Sequence, residues 1–167
     1  EGGATAFTHG TEIYISSSYL TRVANNYTRY KTSFQVLLAH EMFHVLSRNV
    51  PALRAQMYQV FGFTVDQPIP FAPEVASRII SNPDVEDYDC YTTVTIDGEP
   101  KKATIVMYAD DYDPEHDTNF FTASGPWLVL VDEPDHVLPI DAATDLYDLI
   151  GRNTGYIDAI EECVADN

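Results

Sequence analysis

The chain has 167 residues, of which 26 are acidic and 9 basic, giving a formal net charge of −17. That balance excludes a nucleic-acid-binding or anionic-membrane surface, both of which need basic stripes, and suits cationic partners such as metal ions or basic peptides. With 45% hydrophobic residues and no apolar run near the ~20 residues that cross a bilayer, the sequence predicts one folded domain over residues 1–167 and no membrane insertion.

In chain order, residues 4–7 (ATAF) and 12–15 (EIYI) read as two short strands around a His9-Gly10 turn. Ser18 to Tyr27 has the helical recurrence of Tyr19, Leu20, Val23 and Tyr27. Thr32 is the expected N-cap of the next helix, whose apolar residues Phe34, Leu37, Leu38, Val45 and Leu46 suggest a buried stripe. Arg48-Asn49 ends it, and Pro51 suits the first turn of a helix to about Phe61. Pro68, Pro70 and Pro73 mark a loop, with Pro73-Glu74 opening a short helix to Ile80. Residues 91–108 alternate Thr and Val, turn at Asp97-Gly98 and return, the pattern of a β-hairpin. The acidic stretch at 110–117 is expected to be a loop. It does not fit a calcium loop, because His116 and Thr122 occupy the positions that need Gly and Glu. WLVLVD at 127–132 reads as a buried strand with a partner near His136 to Ile140. Asp141 is the expected cap of a helix to Ile150, and a last helix runs from about Asp158. The fold class is therefore α+β. Cys90 and Cys163 are too few for a zinc cluster and allow either a disulfide or two thiols, so the compartment stays open.

One stretch carries chemistry. His40-Glu41-Met42-Phe43-His44 is an HExxH pattern inside a helical apolar segment. Residues four apart on a helix share a face, so two neutral imidazoles can meet one Zn²⁺ at about 2.0–2.1 Å. Glu41, about 100° round from His40, can reach a water on the open side of the metal and act as general base. Two histidines do not complete such a site, and a third protein ligand is required. An extended zinc motif with Gly at 47 and His at 50 is excluded by Ser47 and Val50. The alternative is a carboxylate from a second helix. Glu74, Asp84, Glu86, His116, His136, Glu161 and Glu162 are the candidates. Glu162 and Asp166 share a helix face, so Glu162 can ligate while Asp166 accepts the outer N–H of a ligand histidine. Glu161 points elsewhere on the same helix and lacks an acid four residues on. His9, His116 and His136 read as surface residues. Tyr156, near the proposed ligand helix, reads more readily as a core aromatic than as a transition-state donor.

HExxH with a Glu-x-x-x-Asp helix resembles the gluzincins, the zinc peptidase clan that includes thermolysin. More closely, HEMFHVLSRN at 40–49, RIISNPD at 78–84 and GRNTGYIDAIEECVADN at 151–167 resemble three blocks of a little-characterised bacterial-type group. This chain departs from the group in having Ala159-Ile160 for His-Pro and Cys163 for an aliphatic residue. The resemblance implies a small zincin-like fold, with an active-site helix, a C-terminal glutamate helix and a β-rich insertion between them. It implies zinc on His40, His44 and Glu162, Glu41 as general base and Asp166 as the orienting acid. It also implies that a strand near Ala4-Thr5-Ala6 holds a peptide or protein substrate. The same residues suit two alternatives: a catalytically weak zinc-binding domain used for partner binding, and a hydrolase of a non-peptide amide.

Overall fold

A computed structural model describes residues 5–110, 115–116 and 123–167. The expected α+β class is observed. The chain forms two compact units, residues 1–54 and 55–167.

In the first unit, β1 (Ala6–His9) pairs antiparallel with β2 (Glu12–Ile15), Ala6 facing Ile15 and His9 facing Glu12. Gly10 makes the turn at φ +58°, a conformation that costs glycine little. Ala4, the first residue of the strand read from the sequence, lies outside the described residues. Helix α1 spans Ser17–Asn25. Helix α2 spans Tyr27–Asn49 and starts well before Thr32, because the Asn26 side chain accepts the Arg29 N–H and caps it there. Its most buried face is also not the expected apolar one. Glu41, His44 and Ser47 are buried, whereas Leu46 is exposed and Phe34, Leu37, Leu38 and Val45 are half-buried. The C-terminal end of α2 clasps the hairpin: Arg48 Nη1 donates to Thr8 Oγ1 at 3.0 Å and to the Gly10 carbonyl at 3.3 Å. Thr8 is fully buried, so its hydroxyl needs such a partner.

Helix α3 (Pro51–Val60) contains the division between the two units. The second unit is built on an antiparallel sheet in the order β3-β4-β5-β6-β7. Its strands are β3 (Thr64–Val65), β4 (Cys90–Ile96), β5 (Glu99–Ala109), β6 (Ser124–Leu130) and β7 (Val137–Pro139). The β4–β5 hairpin is the expected one. Asp97 and Gly98 both have positive φ, 51° and 80°, as a type I′ turn requires. Residues 103–106 of β5 are buried in succession, so the sheet is covered on both faces. Val106, Tyr108 and Val129 form one core cluster with Val75, and Phe71, Ile79, Tyr88, Trp127 and Val137 pack against it. Ala103 and Ile105, opposite Leu130 and Leu128, occupy the other face. Each such aliphatic side chain contributes about 1.5–3 kcal/mol on full burial. Of the acidic stretch, only Asp110, Glu115 and His116 belong to the described residues.

Two expected helices are shorter than the sequence suggests. Helix α4 covers Pro73–Ala76 and does not reach Ile80, because Ile79 bridges Tyr108 and Ile80 N–H donates to the Met107 carbonyl. The segment after α4 thus takes the edge of β5 that β4 leaves open. Asp141 does not cap a helix to Ile150. Ile140–Ala142 is one 3₁₀ turn, after which Ala143 bridges Ile96 and Thr144 N–H donates to the Thr95 carbonyl. Only then does α5 (Leu146–Ile150) begin, and Gly151 leaves it at φ +75°. The last helix, α6, is Ile160–Ala165.

Asp145 holds this junction. Its carboxylate accepts Thr95 N–H at 2.7 Å and Thr95 Oγ–H at 2.6 Å, and the Thr95 hydroxyl bond is the main cause of its lowered pKa. A depressed carboxylate pKa stabilises the fold above the unfolded value of ~3.9, and that contribution is lost as pH falls through the lower folded value. Asp145→Ala should cost about 1 kcal/mol at neutral pH, allowing for solvent screening. Urea titrations at pH 7 and pH 3 should show the difference from wild type shrinking at the lower pH.

Candidate metal centre

Helix α2 brings His40 and His44 together. Their Nε2 atoms are 3.0 Å apart, with the rings edge to face and centroids 4.7 Å apart. His44 is 2% exposed and His40 half-buried. Two nitrogens bound at ~2.05 Å to a tetrahedral centre stand ~3.3 Å apart, so the observed spacing fits ligation of one zinc ion. It equally suits one ring donating its N–H to the other. Glu41 is 3% exposed on the same helix, so the three residues of the motif form one polar, largely buried face.

The proposed carboxylate lies on α6. This helix is only six residues long, and Ile160, Glu161, Glu162, Cys163 and Val164 are all buried. Such a short helix has little stability of its own, and the GRNT segment holds it. Asn167 Nδ2 donates to the Cys163 carbonyl at 2.6 Å, and Asn153 Nδ2 donates to Asn167 Oδ1 at 2.6 Å. The Thr154 hydroxyl donates to Asp166 Oδ2. Asp166 is exposed at the C-cap of α6.

Glu162 has no exposed surface, and its Oε1 accepts a hydrogen bond from Asn82 Nδ2 at 2.6 Å. Glu161, its sequence rival, belongs to a different group. Asp89, Cys90 and Glu161 present ligand-type atoms within 4.8 Å of one another, and the Cys90 thiol donates to Asp89 Oδ1 at 3.1 Å. The sequence reading missed this group, because Asp89-Cys90 lies on the edge of a strand far from Glu161 in the chain.

The carboxylates around α6 leave an electrostatic signature on their neighbours. Tyr156 is held above its usual range by burial first, then by Glu162, Asp158 and Asp84, while its hydrogen bond with Asn82 acts the other way. Burial and then Glu162 raise Asp158. Burial pushes Tyr88 up to about 12, with Glu161 and Asp158 adding to the effect. All three groups favour their protonated forms, chiefly because burial disfavours the charged form, with the neighbouring carboxylates adding to it. Tyr156 therefore stays a hydrogen-bond donor at neutral pH, although 43% of its surface is exposed.

Asp84, another candidate, belongs to the turn of Asn82, whose amide binds Glu162. Glu74 and Glu86 are exposed, His9 is exposed at the end of β1, and His136 pairs with Asp135 at 3.2 Å and Glu133 at 3.6 Å on the surface. No helix among the described residues is long and apolar enough to cross a membrane. Comparisons with family models, curated proteins and solved structures return no match for the chain.

Both cysteines are buried and not joined in a disulfide. Burial, followed by Glu162, Glu161, Asp166 and Asp158, pushes the Cys163 thiol up to about 12. The folded protein should therefore resist iodoacetamide at pH 8, and mass spectrometry should find both thiols alkylated only after denaturation. Rapid labelling of Cys163 in the native protein would contradict this environment.

Proposed function

We propose that the chain is a zinc-dependent metallopeptidase, acting as a single zincin-like domain over residues 1–167 and related to the gluzincins it resembles. The observation that carries this reading is the 3.0 Å separation of the His40 and His44 ring nitrogens on α2, with Glu41 buried beside them. Hydrogen bonding between the two rings would explain the spacing but not the buried carboxylate at the HExxH position. The motif's chemistry accounts for both.

Glu162 is the proposed third ligand. Its support is the Glu162/Asp166 spacing and the complete burial of Glu162, whose charge a bound cation would offset. Asp166, with Oδ2 held by Thr154, is proposed to accept the outer N–H of a ligand histidine and so fix its tautomer. A His₂Glu set leaves one position open for water. A zinc ion bound there would supply the positive charge that polarises a peptide carbonyl and acidifies water. Glu41 takes the proton from the attacking water and delivers it to the leaving amine, so one carboxylate serves as base and then as acid. Its low exposure limits competing solvent and strengthens its interactions with charge developing nearby. The substrate class is a peptide or protein.

Glu41→Gln keeps the shape of the side chain and removes its basicity. It should lower peptide hydrolysis by about 10²–10⁴-fold while elemental analysis still finds about one zinc per chain. Wild-type turnover by this variant would remove Glu41 as the base. His44→Ala should lose zinc during purification without added metal, and unchanged zinc content would move the metal away from this helix.

A further inference from the structure

We infer that Asn82, in the RIISNPD block, is a positioning residue that fixes the carboxylate of Glu162 for metal binding. This rests on the reading of Glu162 as third ligand.

The local sequence builds the device. Asn82-Pro83-Asp84-Val85 is a turn in which Val85 N–H donates to the Asn82 carbonyl at 3.1 Å. Asn at the first position and Pro at the second are the residues such a turn prefers. Asn82 Oδ1 accepts the Asp84 N–H at 2.9 Å, which locks the side chain against its own backbone. With the amide oxygen committed to that bond, the amide nitrogen faces outward. It donates to Glu162 Oε1 at 2.6 Å across 80 positions of sequence. The assignment of nitrogen and oxygen is fixed chemically, since a carboxylate only accepts and a backbone N–H only donates.

The turn itself is anchored. Ile79 bridges Tyr108, Ile80 N–H donates to the Met107 carbonyl, and Ala109 N–H donates to the Arg78 carbonyl. The chain thus reaches Asn82 directly from the central strand of the sheet. Tyr156 also hydrogen-bonds to Asn82. A glutamate has three rotatable side-chain bonds, and holding one oxygen selects a single presentation of the other. Groups that orient a ligand in this way typically change metal affinity 10–100-fold when removed.

The test is a set of zinc affinities measured against a chromophoric chelator. Asn82→Ala removes every hydrogen bond of the amide. Asn82→Ser keeps a short oxygen able to accept from Asp84 N–H, preserving the turn, but has no N–H to reach Glu162. Both should weaken zinc binding about 10–100-fold, with the visible spectrum of the cobalt(II)-loaded protein altered. The thermal midpoint of the zinc-free Ser variant should stay near wild type. In a Glu162→Ala background, neither substitution should add a further loss. If Glu162→Ala weakens binding but both Asn82 variants bind like wild type, the positioning role is overturned and the ligand assignment survives. An equal loss from Asn82→Ser in the Glu162→Ala background also overturns it, because Asn82 would then act through the fold at large. Unchanged affinity in Glu162→Ala alone would remove the ligand assignment and this inference together.

Discussion

Burying a carboxylate or an imidazole costs several kcal/mol unless hydrogen bonds or an opposite charge offset it. This chain does so on two separate helices: Glu41 and His44 on α2, Glu161 and Glu162 on α6. A helix selected only for packing would place Leu46 on the inside of α2 and keep Glu41 out, yet the reverse is observed. Much of the local architecture can be understood as support for that inversion. Arg48 and Asn49 reach the Gly10 carbonyl of the hairpin at the end of α2. Around α6, short polar side chains replace the intrahelical bonds that six residues cannot supply.

The sheet of the second unit supplies rigidity to the carboxylate. Its centre, including β5, is buried on both faces, and close-packed interiors of this kind yield little. The residues leading into the turn hydrogen-bond to that strand, so little flexible chain separates the core from the Asn82 amide. A ligand held by a six-residue helix alone would fluctuate with it. Fixing one carboxylate oxygen from a second, sheet-anchored element restricts the side chain independently of the helix.

The legible part of the structure was the part with local causes. The helical setting of HExxH is a property of one segment, and the Asp97-Gly98 turn is a property of two residues; both are found as expected. The errors occur where a distant partner decided the outcome. α4 stops early because residues 78–80 join β5, and α5 starts late because Ala143 and Thr144 join β4. The early start of α2 did have a local signal, the Asn26 cap. The role of Asn82 had half a signal. Asn-Pro announces a turn, but nothing within a few residues of it announces Glu162.

The three blocks that carry the resemblance gain a physical meaning from this contrast. In HEMFHVLSRN, the histidines and Glu41 form the polar face, and Arg48 and Asn49 fasten the hairpin. In RIISNPD, the apolar half bridges to β5 and the polar half makes the Asn82 turn. In the terminal block, Gly151 supplies a positive φ, Asn153 and Thr154 bind Asn167 and Asp166, and Glu162 provides the carboxylate. Each block thus joins residues with a folding task to residues that the proposed function assigns to the metal site, within a few positions of one another. Ala159-Ile160 departs from the group's pattern within this logic: both residues are fully buried at the start of α6, where they pack and carry no charge. Glu162 and Asp166 are both retained. Under the proposed function, the departure therefore bears on how α6 is packed before it bears on the carboxylates assigned to the metal.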